Sequence, residues 1–199
     1  MVFATNFKQL ADLANQRYGS HAKQTILKLE SLLVQLKSAP ESEQLKRIND
    51  FFNANIYFVS DQKNWGNSDY WATPLESLGK QKGDCEDYSI AKYTFLRSLG
   101  IPDERLKMTY VKAQIGGPHS KVYQAHMVLS YYETPSVEPL ILDNLVSSIL
   151  SSSRRSDLRP VFSFNSAGLW IGKSTKRGSL KSLSRWSEVL TRIKNDGIE

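Results

Sequence analysis

Apolar residues recur at helical spacing through the first quarter of the chain. Phe7, Leu10, Ala11 and Ala14 share one face before Gly19, Ile26, Leu29, Leu33 and Leu36 do so up to Pro40, and Leu45, Ile48, Phe51 and Phe52 follow it. The pattern predicts helices across residues 1–55 whose stripes form core rather than sites. A short β-prone run, 56–59, leads into a polar loop, 60–70, that carries Trp65 and Gly66, and loops of this kind often border active sites. Thr73, Pro74 and Glu76 predict a helix start, with a hydroxyl cap, proline at the first helical position and a carboxylate in the first turn. Tyr88, Ala91, Phe95 and Leu99 then lie on one helical face closed by Gly100 and Pro102, so this helix begins at Cys85. Beyond it the signals turn to strand, with 106–111, 123–132, 139–146 and 160–164 as candidates, 147–156 as a polar loop, and a last helix carried by Trp186, Val189, Leu190 and Ile193. Helices first and strands after indicate an α+β fold. A length of 199 residues fits one domain, with 1–55 as a helical part, 65–170 as the core and 171–199 as a basic segment and closing helix.

Composition narrows the function classes. The chain is 40% hydrophobic without internal repeats, and its apolar runs fall far short of the roughly 18 residues a membrane helix needs. Its net charge of +6 is spread along the sequence, and the densest basic group, Lys173, Lys176, Arg177, Lys181 and Arg185, lacks interleaved aromatics. A solvated surface is expected there and no nucleic-acid partner. The single cysteine excludes an internal disulfide and leaves a candidate nucleophile.

A thiolate is far more nucleophilic than a thiol, and the positive end of a helix dipole draws a cysteine pKa from ~8.5 toward ~3.5–7.5. Cys85 stands at such an end, after Gly83 and Asp84. The first helical turn leaves backbone amides without intrahelical partners, so the Cys85 N–H can donate to the oxyanion formed when a thiolate attacks a carbonyl. An inert buried cysteine is the competing reading of a lone thiol; the helix-opening position argues against it. His126 lies on a strand whose alternation puts Gln124, Val128 and Ser130 on its own face. A symmetric hairpin around Thr134 and Pro135 pairs His126 with Asp143, Leu129 with Leu140 and Met127 with Leu142. Opposed side chains have Cβ atoms roughly 4.5–5.5 Å apart, near enough for Asp143 to accept a hydrogen bond from the imidazole. A half-buried histidine held by a structural aspartate is the bland alternative. His21, at a helix start, and His119, in a Gly-Gly-Pro-His turn, are expected at the surface. Asp84, Glu86 and Asp87 crowd carboxylates around the thiol and oppose its ionisation. A hard cation such as calcium, which takes several carboxylate and carbonyl oxygens, would neutralise them; the alternative is that they only complement the helix dipole.

With Trp71, Pro74 and Glu76, then Gly83-Asp84-Cys85-Glu86-Asp87-Tyr88, then Ala125-His126-Met127-Val128 and Leu142-Asp143-Asn144, the chain resembles the bacterial transglutaminase-like cysteine proteinases. The resemblance runs over residues 65–170 and implies a papain-like transglutaminase core, with the nucleophile helix packed on an antiparallel sheet. It implies Cys85, His126 and Asp143 as a catalytic triad and Asp84, Glu86 and Asp87 as calcium-binding acids. It further implies a calcium-dependent periplasmic protease that cuts a large surface adhesin near its N-terminal retention module, at a paired-alanine sequence, releasing the adhesin and dispersing biofilm. The implied regulatory partner is the periplasmic domain of an inner-membrane cyclic-di-GMP receptor, which sequesters the protease when the nucleotide is abundant. Trp65 is a candidate second oxyanion donor through its indole, with packing as the alternative. Met1–Phe7 show no basic stretch followed by an apolar core, so the periplasmic location rests on the resemblance. The segment 114–123 is longer than the family pattern suggests and is expected to alter substrate or partner contacts. On the same core a transglutaminase or acyltransferase would resolve the acyl-enzyme with an amine instead of water. A non-catalytic module, using the acids for calcium and the basic surface for an acidic partner, is the reading from another class.

Overall fold

The computed structural model describes residues 5–171 and 184–198. Three helices open the chain: α1 (Phe7–Tyr18), α2 (Ser20–Leu36) and α3 (Glu41–Asn55). The Asn6 side chain caps α1 by accepting from the Gln9 N–H, and Gly19, at φ 88°, turns the chain into α2, a left-handed conformation that favours glycine. The predicted stripes are the buried ones, Leu10, Ala11 and Ala14, then Ile26, Leu29, Leu33 and Leu36, then Leu45, Ile48 and Phe52.

A short strand β1 (Tyr57–Phe58) pairs in parallel with β2 (Lys82–Gly83). Between them lie α4 (Asp61–Asn64) and α5 (Pro74–Lys80). The first is a single turn inside the stretch read as loop. The second carries the predicted cap, with Thr73 accepting from the Glu76 N–H and Glu76 from the Thr73 N–H.

The central helix α6 (Cys85–Ser98) starts at the predicted residue. Its amphipathic face is only part of the picture, because residues 87–96 are all buried. Helices α3 and α5 pack against it on one side and the sheet on the other, so even Lys92 and Thr94 lie inside. The sheet contains β3 (Leu106–Ile115), β4 (Val122–Tyr131), β5 (Leu140–Leu142), β6 (Leu150–Ser151), β7 (Leu158–Asn165) and β8 (Gly168–Ile171). They run in the order β6-β5-β4-β3-β7-β8 with every pairing antiparallel. Met108, Met127, Leu129, Leu142 and Phe164 meet Tyr88, Ala91 and Phe95 of α6 in one core, the helix-on-sheet arrangement expected. The last helix, α7 (Ser184–Asn195), buries Trp186, Val189 and Ile193. Lys173, Lys176, Arg177 and Lys181 of the basic segment lie outside the described residues.

Two expectations are corrected. The β4–β5 hairpin pairs Leu129 with Leu142 and Tyr131 with Leu140, two residues away from the symmetric register, because its connection spans all of 132–139. An even slip keeps every side chain on its face, so His126 and Asp143 still meet, diagonally rather than directly across. The strand expected over 139–146 ends at Leu142, because the Asp143 carboxylate accepts the N–H of Leu145 at 3.0 Å and turns the chain out of the sheet.

Candidate active site

Asp84 precedes α6 as its cap, and Asp87 three residues on takes the Asp84 N–H at 3.1 Å with one oxygen and the Ala72 N–H at 2.7 Å with the other. Asp87 is therefore a strut tying the segment before α5 to the start of α6. Gly83 makes room for it: a Cβ there would lie 2.8 Å from Asp87. Cys85 is the first helical residue, half-buried, and the Ser89 hydroxyl donates both to its carbonyl at 2.9 Å and to that of Met127 on β4 at 3.3 Å. That second bond fastens the helix to the strand one residue beyond His126.

A cleft of about 440 Å³ opens where the start of α6 meets β3, β4 and β7. Asp84, Cys85, Glu86 and His126 line it together with an aromatic wall of Trp71, Tyr110 and Phe162. His126 is 5% exposed, and its Nε2 lies 2.8 Å from Oδ1 of Asp143. A carboxylate acceptor at Nε2 fixes the proton there and leaves Nδ1 as the basic nitrogen of the neutral ring. Asp143 itself is 1% exposed. Its second oxygen accepts from Arg155 Nη2 at 2.7 Å, and its backbone carbonyl accepts from the Asn53 amide of α3 at 2.9 Å. Burial alone would raise this carboxyl, but the hydrogen bond and charge of His126, the Leu145 N–H and Arg155 hold it down at about 2.

The thiol is not activated as the helix position alone suggested. Burial, then Glu86 and Asp84, push the Cys85 pKa strongly upward, and Sγ donates to a Glu86 oxygen at 3.1 Å. A helix terminus is worth about half a positive charge, and burial together with the adjacent acids outweighs it.

The acidic group is larger than the sequence reading allowed. Carboxylate oxygens of Asp61, Asp84 and Asp87 lie within 4.8 Å of one another, and so do those of Asp61, Asp69 and Glu86. Asp61, only 3% exposed, comes from α4. Oδ1 of Asp61 and Oδ1 of Asp84 are both buried without a hydrogen-bond partner. Burial, then the facing Glu86, then Asp61 push Asp84 up to about 9; burial likewise raises Asp61 and Glu86. Carboxylates converging from three segments, with orphaned oxygens on Asp61 and Asp84, fit a hard oxygen-seeking cation such as calcium. Within the expected trio Asp84 and Glu86 line the cleft, whereas both Asp87 oxygens already accept backbone N–H groups. Asp61 and Asp69 went unread because no spacing ties them to Cys85, although their loop had been marked as an active-site border. Arg155 and Asn53 carried no sequence signal.

Trp65 does not line the cleft. Its ring lies tilted against Tyr70, centroids 4.5 Å apart, beneath Lys80 Nζ, and its Nε1 is buried without a partner. His21 and His119 are exposed, as expected. A larger cavity of about 530 Å³, lined by Val111, Val128, Ile141 and Arg155, does not include Cys85.

A family model described as bacterial transglutaminase-like cysteine proteinase matches residues 17–158. Among solved structures, Legionella pneumophila LapG treated with EGTA is 38% identical over 96% of this chain and 100% of that one, with a TM-score of 0.82. The calcium-bound LapG of the same organism is 39% identical over 94% of this chain and 98% of that one, with a TM-score of 0.80. A search of curated proteins finds no match.

Proposed function

The chain belongs to the bacterial transglutaminase-like cysteine proteinases, and from that premise we propose a calcium-dependent periplasmic endopeptidase with Cys85, His126 and Asp143 as its catalytic triad. Its substrate is the N-terminal region of a large surface adhesin, cut at a paired-alanine sequence, so that the adhesin is released and biofilm disperses. Its regulator is the periplasmic domain of an inner-membrane cyclic-di-GMP receptor. The observation that carries the reading is the cleft that a helix-opening Cys85 and His126 both line, while Asp143 holds Nε2 of the ring. No helix among the described residues is long and apolar enough to cross a membrane.

In the mechanism, His126 Nδ1 takes the Cys85 proton and the thiolate attacks the scissile carbonyl. The Cys85 N–H at the helix start faces the developing oxyanion. Collapse breaks the C–N bond, the leaving amine takes its proton from the imidazolium, and an acyl-enzyme remains. Water then attacks with His126 again as base. Asp143 stays ionised throughout and stabilises the imidazolium. Asp61, Asp84 and Glu86, with Asp69 at the rim, would hold a calcium ion, whose charge compensates the carboxylates that otherwise keep the thiol protonated. The LapG structures include one described as calcium-bound and one as EGTA-treated, which supports a calcium requirement here.

Product analysis tests the reading. Incubation with an adhesin N-terminal fragment and calcium is expected to give two discrete fragments and to stop when a chelator is added. A single modified or crosslinked chain would assign the core to acyl transfer instead.

A further inference from the structure

Asp143 is a buried carboxylate, and something must keep it charged. His126 of β4 meets one oxygen, and Arg155, from the turn before β7, meets the other at 2.7 Å. Arg155 is itself 3% exposed and is gripped from its outer side by Asp157, with Nε 3.0 Å from Oδ1 and Nη2 2.8 Å from Oδ2. From α6, the buried Lys92 adds a more distant charge to Asp143 and to Asp50 of α3, but burial lowers its pKa to about 7. Among the described residues, Arg155 is thus the one permanently charged group in direct contact with Asp143.

Resting on the triad proposed above, we infer that Arg155 is a positioning residue of the proteolytic site: held by Asp157, it keeps Asp143 ionised and aimed at His126 Nε2. The chain Asp157, Arg155, Asp143 alternates in charge and runs from a partly exposed carboxylate, Asp157 at 39%, to the His126 ring that serves Cys85. Without the guanidinium, one of the contacts that hold the carboxyl down against its burial is lost, and Asp143 titrates at higher pH. A protonated Asp143 no longer supports an imidazolium, so the acid limb of thiol reactivity moves upward.

The test is the pH dependence of Cys85 alkylation by iodoacetamide in the full chain with saturating calcium. It needs no adhesin. Arg155→Met is expected to move the acid limb up by about one pH unit or more and to lower the neutral-pH rate about 10- to 100-fold, by analogy with the loss when outer partners of metal-ligating side chains are removed. Arg155→Lys restores part of the shift, and Arg155→Met adds nothing in an Asp143→Asn background. Asp157→Asn, which leaves every direct contact of Asp143 in place, gives a smaller shift in the same direction and carries the test should Arg155→Met fail to fold. A folded Arg155→Met protein, or failing that Asp157→Asn, whose profile superimposes on the wild type while Asp143→Asn shifts it overturns the inference alone. Profiles unmoved by His126→Ala and Asp143→Asn would overturn the triad and the inference with it.

Discussion

Replacing Asp87 by alanine separates its two readings, strut and calcium ligand. Its carboxylate is fully buried and accepts two backbone N–H groups, from Ala72 and Asp84. The substitution leaves both donors buried and unpaired, at about 1–3 kcal/mol each, a loss of about 2–6 kcal/mol. Relief of repulsion with Asp84, one of the causes that raise the Asp87 pKa, trims this toward the lower end. With a urea dependence of about 2 kcal/mol per molar, the midpoint should fall by about 1–2 M. The assay is urea unfolding followed by tryptophan fluorescence, run with EGTA and again with calcium. The drop should be present in full in EGTA, because the bonds concerned are between protein groups. An Asp87→Ala protein as stable as wild type in EGTA, but no longer stabilised by calcium, would refute the strut and make Asp87 a ligand.

Glu86→Gln removes a charge that helps to keep the Cys85 thiol protonated, so in EGTA its alkylation near pH 8 should be about tenfold faster, the effect of one pKa unit; an unchanged rate would contradict that electrostatic reading. Asp61→Asn should weaken the stabilisation by calcium in a thermal melt while leaving the calcium-free protein folded, because Asp61 Oδ1 has no protein partner to lose. Asp143, held at about 2 in the fold against ~3.9 unfolded, contributes about 2 kcal/mol that is present above pH ~4 and lost as pH falls through 2. Comparing the acid limb of the melting temperature with that of Asp143→Asn checks the sign.

Where the sequence carries a local physical signal, the structure follows it. The Thr73 and Glu76 cap, the left-handed stop at Gly19 and the helix opening at Cys85 all depend on residues within one turn of each other. The meeting of His126 with Asp143 was legible because strand alternation survives an even register slip, even though the hairpin register itself did not follow from the turn residues. The strand end at Leu142 was missed because the hydrogen bond that Leu145 N–H donates to the Asp143 carboxylate outcompetes the β-propensity of the residues after it. The burial of α6 on all sides was hidden because Ser89, Lys92 and Thr94 are polar, yet helices and sheet together pack around the whole helix. Asp61, Asp69 and Arg155 were out of reach, since long-range folding alone brings them to the acidic group and to Asp143.

The most direct test of the central claim is a gel assay of the wild-type protein and Cys85→Ala on an adhesin N-terminal fragment carrying a paired-alanine sequence, with calcium present. Discrete cleavage by the wild type and none by Cys85→Ala is the expected result. An intact fragment with both folded proteins would contradict the adhesin-protease function, and equal cleavage by both would contradict Cys85 as the nucleophile.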